Sequence, residues 1–317
     1  MGGYLTNREN HFISFVGYWL NTFHIQVFTF ASGYLFYYIR YEKNRYTDIK
    51  QSILKRAKRL LVPYALVSLV WAIPAKIIAY GWSWEIPIKD FGLAIAPAQL
   101  WFLPMLFILF VLFSIASDYL LAKKTVYVYV ALYIISSIVS YISRYIPLGV
   151  FQISSSLQFA LFYYAGMMHR KGNIKWCNSK MAPFGLLIAS LVLAFVIKHI
   201  STIYVGLSPW ITCALLPLTS YLGILSVVGM GRSFDIDRFM TKKSVAFLQK
   251  NSVGIYLFHQ QFIYLSMRIF NCPSLPDIIF VFLNFVFAVL CSLLLIHLVR
   301  KLKVGRIIIG ENPNESA

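Results

Sequence analysis

Long apolar runs, each about the length needed to cross a hydrocarbon layer, follow one another through the 317 residues with only short polar connections. About nine such runs can be placed, at roughly 21–39, 61–80, 99–117, 125–143, 152–168, 183–200, 208–229, 252–270 and 277–299. A segment in hydrocarbon must satisfy its backbone groups internally, and a helix does so alone. The expectation is therefore an all-α, polytopic transmembrane helix bundle. Charged residues make up 13% of the chain, about half the share of an ordinary soluble domain. No low-complexity linker or internal repeat interrupts the pattern, so residues 1–317 read as a single integral membrane domain. An odd number of spans also argues against a simple duplicated transporter.

A net charge of +18 invites a nucleic-acid reading, but the basic residues lie in short loops between apolar runs. That placement encodes topology instead. Of the 29 Lys and Arg, all but Arg8, Lys76, Lys89, Arg144, Lys198 and Arg268 fall on one side of the expected membrane. The crowded side, with the C-terminus, is expected to be cytoplasmic, in a cell inner (plasma) membrane. The N-terminus is then outside, although MGGYLTNRENH has neither the basic nor the apolar part of a signal peptide. The longest outer loop, Gly81 to Pro97, carries Trp82 and Trp84, which suit the interfacial belt. The tail GENPNESA is expected to fray.

Few polar side chains within the spans could carry chemistry. His24 lies about 24 Å along a helix from Arg40, toward the outer half of the bilayer, with Phe28 and Ser32 on its face. An intramembrane histidine is costly and points to function, the bland alternative being one satisfied by a neighbouring helix. Arg56 and Arg59, three apart and just before Leu60–Pro63, share a helical face at the membrane surface. Two guanidinium forks suit phosphate, although many such clusters only set topology or meet lipid head groups. His259 sits about 14 Å past Lys250, beside Gln260 and Gln261 and one turn beyond Tyr256. That group is either a hydrogen-bond knot or the lining of a ligand site. His11 and His169 read as loop residues and His199 and His297 as span-end residues, all four structural.

No span interior carries Asp or Glu, which argues against a carboxylate proton relay and paired-carboxylate glycoside chemistry. No GxSxG, Walker A or HExxH pattern occurs, and Cys177, Cys213, Cys272 and Cys291 form no CxxC. No disulfide, zinc or other metal is expected. A histidine general base remains.

FHIQVFTFASGYLF followed by KRAKRLLVPY, then LWFLPMLFI, LFYYAGMMHRK and NSVGIYLFHQQF, occur in an order that resembles the acyltransferase 3 family of membrane O-acyltransferases. The likeness is strongest to its fucose 4-O-acetylase-like branch. The resemblance implies a ten-helix bundle that moves an acetyl group from acetyl-CoA to a hydroxyl of a cell-surface polysaccharide or a lipid-linked sugar precursor. It places Arg56 and Arg59 near the CoA phosphates and gives His24, and also His259, functional roles. MGGYLTN resembles the tail of the family's first helix, with Gly3 where that helix has a histidine. The chain is therefore expected to lack one span of the ten. A non-enzymatic glycan or lipid transporter, and an inactive truncated member of the family, are the alternative readings. The expected partners are the sugar acceptor and membrane lipids, not nucleic acid.

Overall fold

The protein is described by a computed structural model over residues 10–46, 48–146, 149–172, 181–203, 208–233, 241–270, 272, 275–302 and 305–311. Among these residues all regular structure is helical. The α-helices are α1 (His11–Asn21), α2 (His24–Tyr37), α3 (Ile49–Val67), α4 (Ile73–Tyr80), α5 (Phe102–Ala122), α6 (Thr125–Ile142), α7 (Ile153–Gly172), α8 (Ala182–Ile203), α9 (Ser208–Ser233), α10 (Lys243–Ile269), α11 (Asp277–Arg300) and α12 (Gly305–Ile308). The fold is an all-α polytopic bundle. The segment expected to be the tail of a lost helix, with Gly3, lies outside the described residues, as do Cys177 and the end of the C-terminal tail.

Among the described residues six helical stretches are long and apolar enough to cross a membrane: Ile49–Tyr80, Ala98–Ala122, Thr125–Ile142, Ala182–Ser201, Pro209–Arg232 and Asp277–Arg300. The other three expected spans fall on α2, α7 and α10. At 14 residues α2 is short, and α10 opens with Lys243 and Lys250. α7 carries Ser154, Ser155, Ser156 and Gln158, yet twelve of its 20 residues are buried. A helix surrounded by protein exchanges lipid for side-chain partners, so its hydropathy need not be high.

The expected first span is broken. α1 ends at Asn21 and α2 begins at His24, with Phe23 off helical geometry at φ −137°. A break at membrane depth is tolerated only where its polar groups are covered. Here the Thr22 hydroxyl donates to the Trp19 carbonyl at 2.7 Å, and Ser220 of α9 donates to the Thr22 carbonyl. Trp19 is fixed in turn by its indole N–H, which donates to Ser190 Oγ at 2.8 Å. Gly223 leaves room for the Phe23 ring, which a methyl group there would overlap.

Two compact units form, interleaved in sequence. The first comprises the described residues of Phe12–Ile53 and Ile108–Arg238. In it α2 crosses α7 at two glycines. A methyl on Gly33 would overlap the Tyr163 carbonyl, and one on Gly166 would overlap the Phe30 carbonyl. Small residues let membrane helices approach backbone to backbone, where dispersion replaces the missing hydrophobic drive. Phe30, Leu161, Phe162, Ala165 and Ile224 close around the crossing.

The second unit comprises the described residues of Met1–His11, Leu54–Phe107 and Phe239–Ala317. Its core joins Val67, Phe91, Leu100, Leu257, Phe258 and Ile296. In this unit a π-helical turn follows α3 at Ser68–Ala72 and another, Ile86–Gly92, lies within the expected outer loop, while in the first unit one follows α2 at Tyr38–Glu42. Lys76 and Asp90 pair at 2.6 Å, binding that loop to α4.

Candidate functional site

In the second unit, Arg56 and Arg59 stand on α3, the first half-buried and the second exposed. Their spacing of three puts both on one side of the helix, as the sequence implies. Pro63, one turn further on, bears no amide hydrogen and leaves the Arg59 carbonyl without its helical donor.

His259 stands on α10 in the same unit. Its Nδ1 is 3.0 Å from the Ile255 carbonyl and 2.8 Å from the Tyr256 carbonyl. A carbonyl only accepts, so Nδ1 carries a proton, and in the neutral ring Nε2 is then the acceptor. That is the tautomer a general base needs. The neighbouring glutamines have other work. Gln99 Nε2 donates to Gln261 Oε1 at 2.9 Å and to the Leu257 carbonyl at 3.0 Å, and Trp71 donates to Gln261 Oε1 at 3.0 Å. The Tyr256 hydroxyl donates to the Gln99 carbonyl, and Gln260 donates to Tyr264. Of the two readings of this group, the hydrogen bonds found form a knot built on Gln261, Gln99, Trp71 and Tyr256. Among the described residues His259 bonds to carbonyls of its own helix.

His24 lies in the other unit, as the first residue of α2, and is exposed. Its Nδ1 is 3.2 Å from the Leu20 carbonyl, which leaves Nε2 as the acceptor here too. Phe28 and Leu35, 63% and 53% exposed, continue the face of α2 that α7 does not cover. Ser32, expected on the same helical face as His24, donates to the Phe28 carbonyl at 2.9 Å. The expected site residues thus divide, with Arg56, Arg59 and His259 in one unit and His24 in the other.

Two expectations need correction. His11 opens α1, and His169 lies within α7, 4% exposed, instead of in a loop. Arg232 of α9 donates to His169 Nε2 at 3.0 Å, and the Phe30 and Tyr34 rings pack on the imidazole. The next residue, Arg170, donates to both oxygens of Glu42 at 2.6 Å each and to the Tyr34 hydroxyl at 2.7 Å. Its guanidinium lies over the Tyr34 and Tyr38 rings, at 5.2 and 4.9 Å from their centroids. Arg170 holds the Glu42 carboxyl below the usual carboxylate range by donating to its charged form. Nearby, Arg40 pairs with Asp118 at 2.8 Å. Tyr41 donates to the same carboxylate, and burial with that bond pushes its hydroxyl up to about 12. The sequence signal missed was the run GMMHRK, whose Gly166 marks a close helix crossing that carries the helix on past Met168.

An apolar groove of about 380 Å³ between α6, α7 and α9, lined by Tyr129, Tyr133, Pro217 and Tyr221, contains none of these candidates. Among the described residues no three of His, Cys, Asp and Glu gather closely enough to hold a metal ion.

A family model described as an acyltransferase domain matches residues 2–297. No curated protein and no solved structure shows a significant match. The match spans both units and every candidate residue, and with it the chain belongs to the acyltransferase 3 family of membrane-bound acyltransferases.

Proposed function

We propose that this membrane acyltransferase moves an acetyl group from acetyl-CoA to a hydroxyl of a cell-surface polysaccharide or its lipid-linked precursor. The observation that carries the reading is the presence, within one unit, of the Arg56–Arg59 forks and of a histidine whose Nδ1 bonds to carbonyls of its own helix. Arg56 and Arg59 hold the CoA phosphates, because a planar guanidinium takes two oxyanion oxygens at once. His259 Nε2 takes the proton from the sugar hydroxyl, and the oxygen attacks the thioester carbonyl. The C–S bond breaks, an ester forms, and the CoA thiolate takes the proton back from the imidazolium. His24 is the competing base, with the same tautomer on the other unit. The enzyme works in the plasma membrane, with its basic loops and C-terminus cytoplasmic.

Purified protein in lipid nanodiscs, given acetyl-labelled acetyl-CoA and glycan acceptors, should release free CoA thiol and label the glycan. Glycan flux across proteoliposomes without thioester turnover would replace this reading with a transporter.

A further inference from the structure

α12 forms one turn, and the residues after it close onto α3 within the second unit. Gly310 lies against the carbonyl that Pro63 leaves without a helical donor. A methyl there would sit 3.2 Å from the Arg59 carbonyl oxygen and 3.3 Å from Pro63 Cγ, and its φ is +72°. Close approach and left-handed backbone both confine the position to glycine. Ile309, one residue earlier, is 2% exposed in the unit's core. The hook is therefore anchored without help from any charge.

Glu311 follows and presents its carboxylate to Arg300 at the end of α11. Arg300 Nε is 3.2 Å from each carboxylate oxygen, and Nη2 donates to Oε1. The other arm, Nη1, donates to Asn251 Oδ1 at 2.7 Å. Asn251 is 2% exposed, and its amide donates to the Phe247 carbonyl at 2.7 Å. Arg300 is thus held by α10 on one side, with its second edge turned to the carboxylate. Both partners keep about a quarter of their side-chain surface open, 25% and 27%. In the stretches 49–60 and 300–311 Glu311 is the only acid, with Asp48 just ahead of the first, among Lys50, Lys55, Arg56, Lys58, Arg59, Lys301, Lys303 and Arg306 as well as Arg300.

A carboxylate and a phosphate offer a guanidinium the same pair of oxygens at similar spacing. We propose that Arg300 is a third guanidinium of the donor's polyphosphate site, and that Glu311 is its built-in competitor, displaced when a phosphate binds. This rests on the reading that Arg56 and Arg59 hold the CoA phosphates. The hook lies past the residues matched by the family model, which end at 297.

The test is binding of CoA, and of dephospho-CoA lacking the 3′-phosphate, to the 317-residue chain in nanodiscs. Thermal unfolding serves as the check on folding. Glu311→Gln removes the competitor's charge, while Glu311→Asp keeps the charge but shortens its reach. Both should tighten CoA binding roughly threefold to tenfold, and Arg300→Ala should weaken it by about tenfold. If Glu311→Gln leaves affinity unchanged or lowers it, Glu311 is a strut and the proposal is overturned. If Gln tightens binding while Asp matches the parent, only net charge matters and the proposal is likewise overturned. Arg56→Ala and Arg59→Ala, run alongside, read the donor-site assignment separately, since their failure to weaken binding would sink that reading whatever Glu311 does.

Discussion

Arg170 on α7 grips both carboxylate oxygens of Glu42, at 2.6 Å each, across 128 residues of sequence. The bond ties the end of α7 to the π-helical turn that follows α2, just before the basic loop. Because Arg170 lowers the folded-state value of Glu42, the unfolded chain binds that proton more readily. The stabilisation is therefore complete above the unfolded carboxylate value of about 4.3 and is lost as pH falls through the lower folded value. Thermal unfolding in detergent should show the parent melting above Glu42→Gln at pH 7, with the gap closing toward pH 3. A gap independent of pH would remove the ion pair as its cause.

The Gly33–Gly166 crossing should tolerate no side chain. Gly33→Val or Gly166→Val forces α2 and α7 apart against backbone atoms, which places the cost at the upper end for overpacking, about 3 kcal/mol. Fluorescence-detected size exclusion should show aggregation or lost expression for both. Gly17, which has nothing within 4 Å of an added methyl, should accept alanine without such an effect.

His169 should matter for stability. His169→Ala removes a buried ring and the acceptor for Arg232, so unfolding should fall by about 2 kcal/mol. His169→Gln, whose carbonyl can reach toward the former Nε2 position, should recover part of the loss. Equal melting temperatures for the parent and the alanine variant would show that the buried contact contributes nothing.

Loop orientation is set by the charge sorting. Residues 41–60 should be cytoplasmic and residues 81–98 external. In intact cells a membrane-impermeant maleimide should modify a cysteine placed at Trp84, 69% exposed, and spare one placed at Asn44. The reverse labelling would invert the topology.

The two histidines separate by kinetics. If His259 is the base, His259→Ala should lower kcat by about a hundredfold or more with little change in the KM for acetyl-CoA. His24→Ala should then retain most of its turnover. Arg56→Ala and Arg59→Ala should instead raise the KM for acetyl-CoA. Loss of kcat in His24→Ala alone would transfer the role to His24.

The sequence by itself determined the all-α polytopic bundle, because bilayer thickness and backbone satisfaction fix the length and hydropathy of its apolar helices whatever they pack against. It also put Arg56 and Arg59 on one face, since helical pitch alone does that. The three expected spans that miss a simple apolar pattern, α2, α7 and α10, take much of their polar satisfaction from protein. Their partners are not local: Gln261 is bonded to Gln99 and Trp71, and Arg170 to Glu42. Only the tertiary structure decided where helix α2 begins, because the break at Thr22 and Phe23 survives through Ser220 and Gly223 on α9. It also moved His169 from a loop into the interior, since a histidine's burial depends on which helices close around it. Local sequence sets what a segment must satisfy, and packing chooses which distant residue satisfies it.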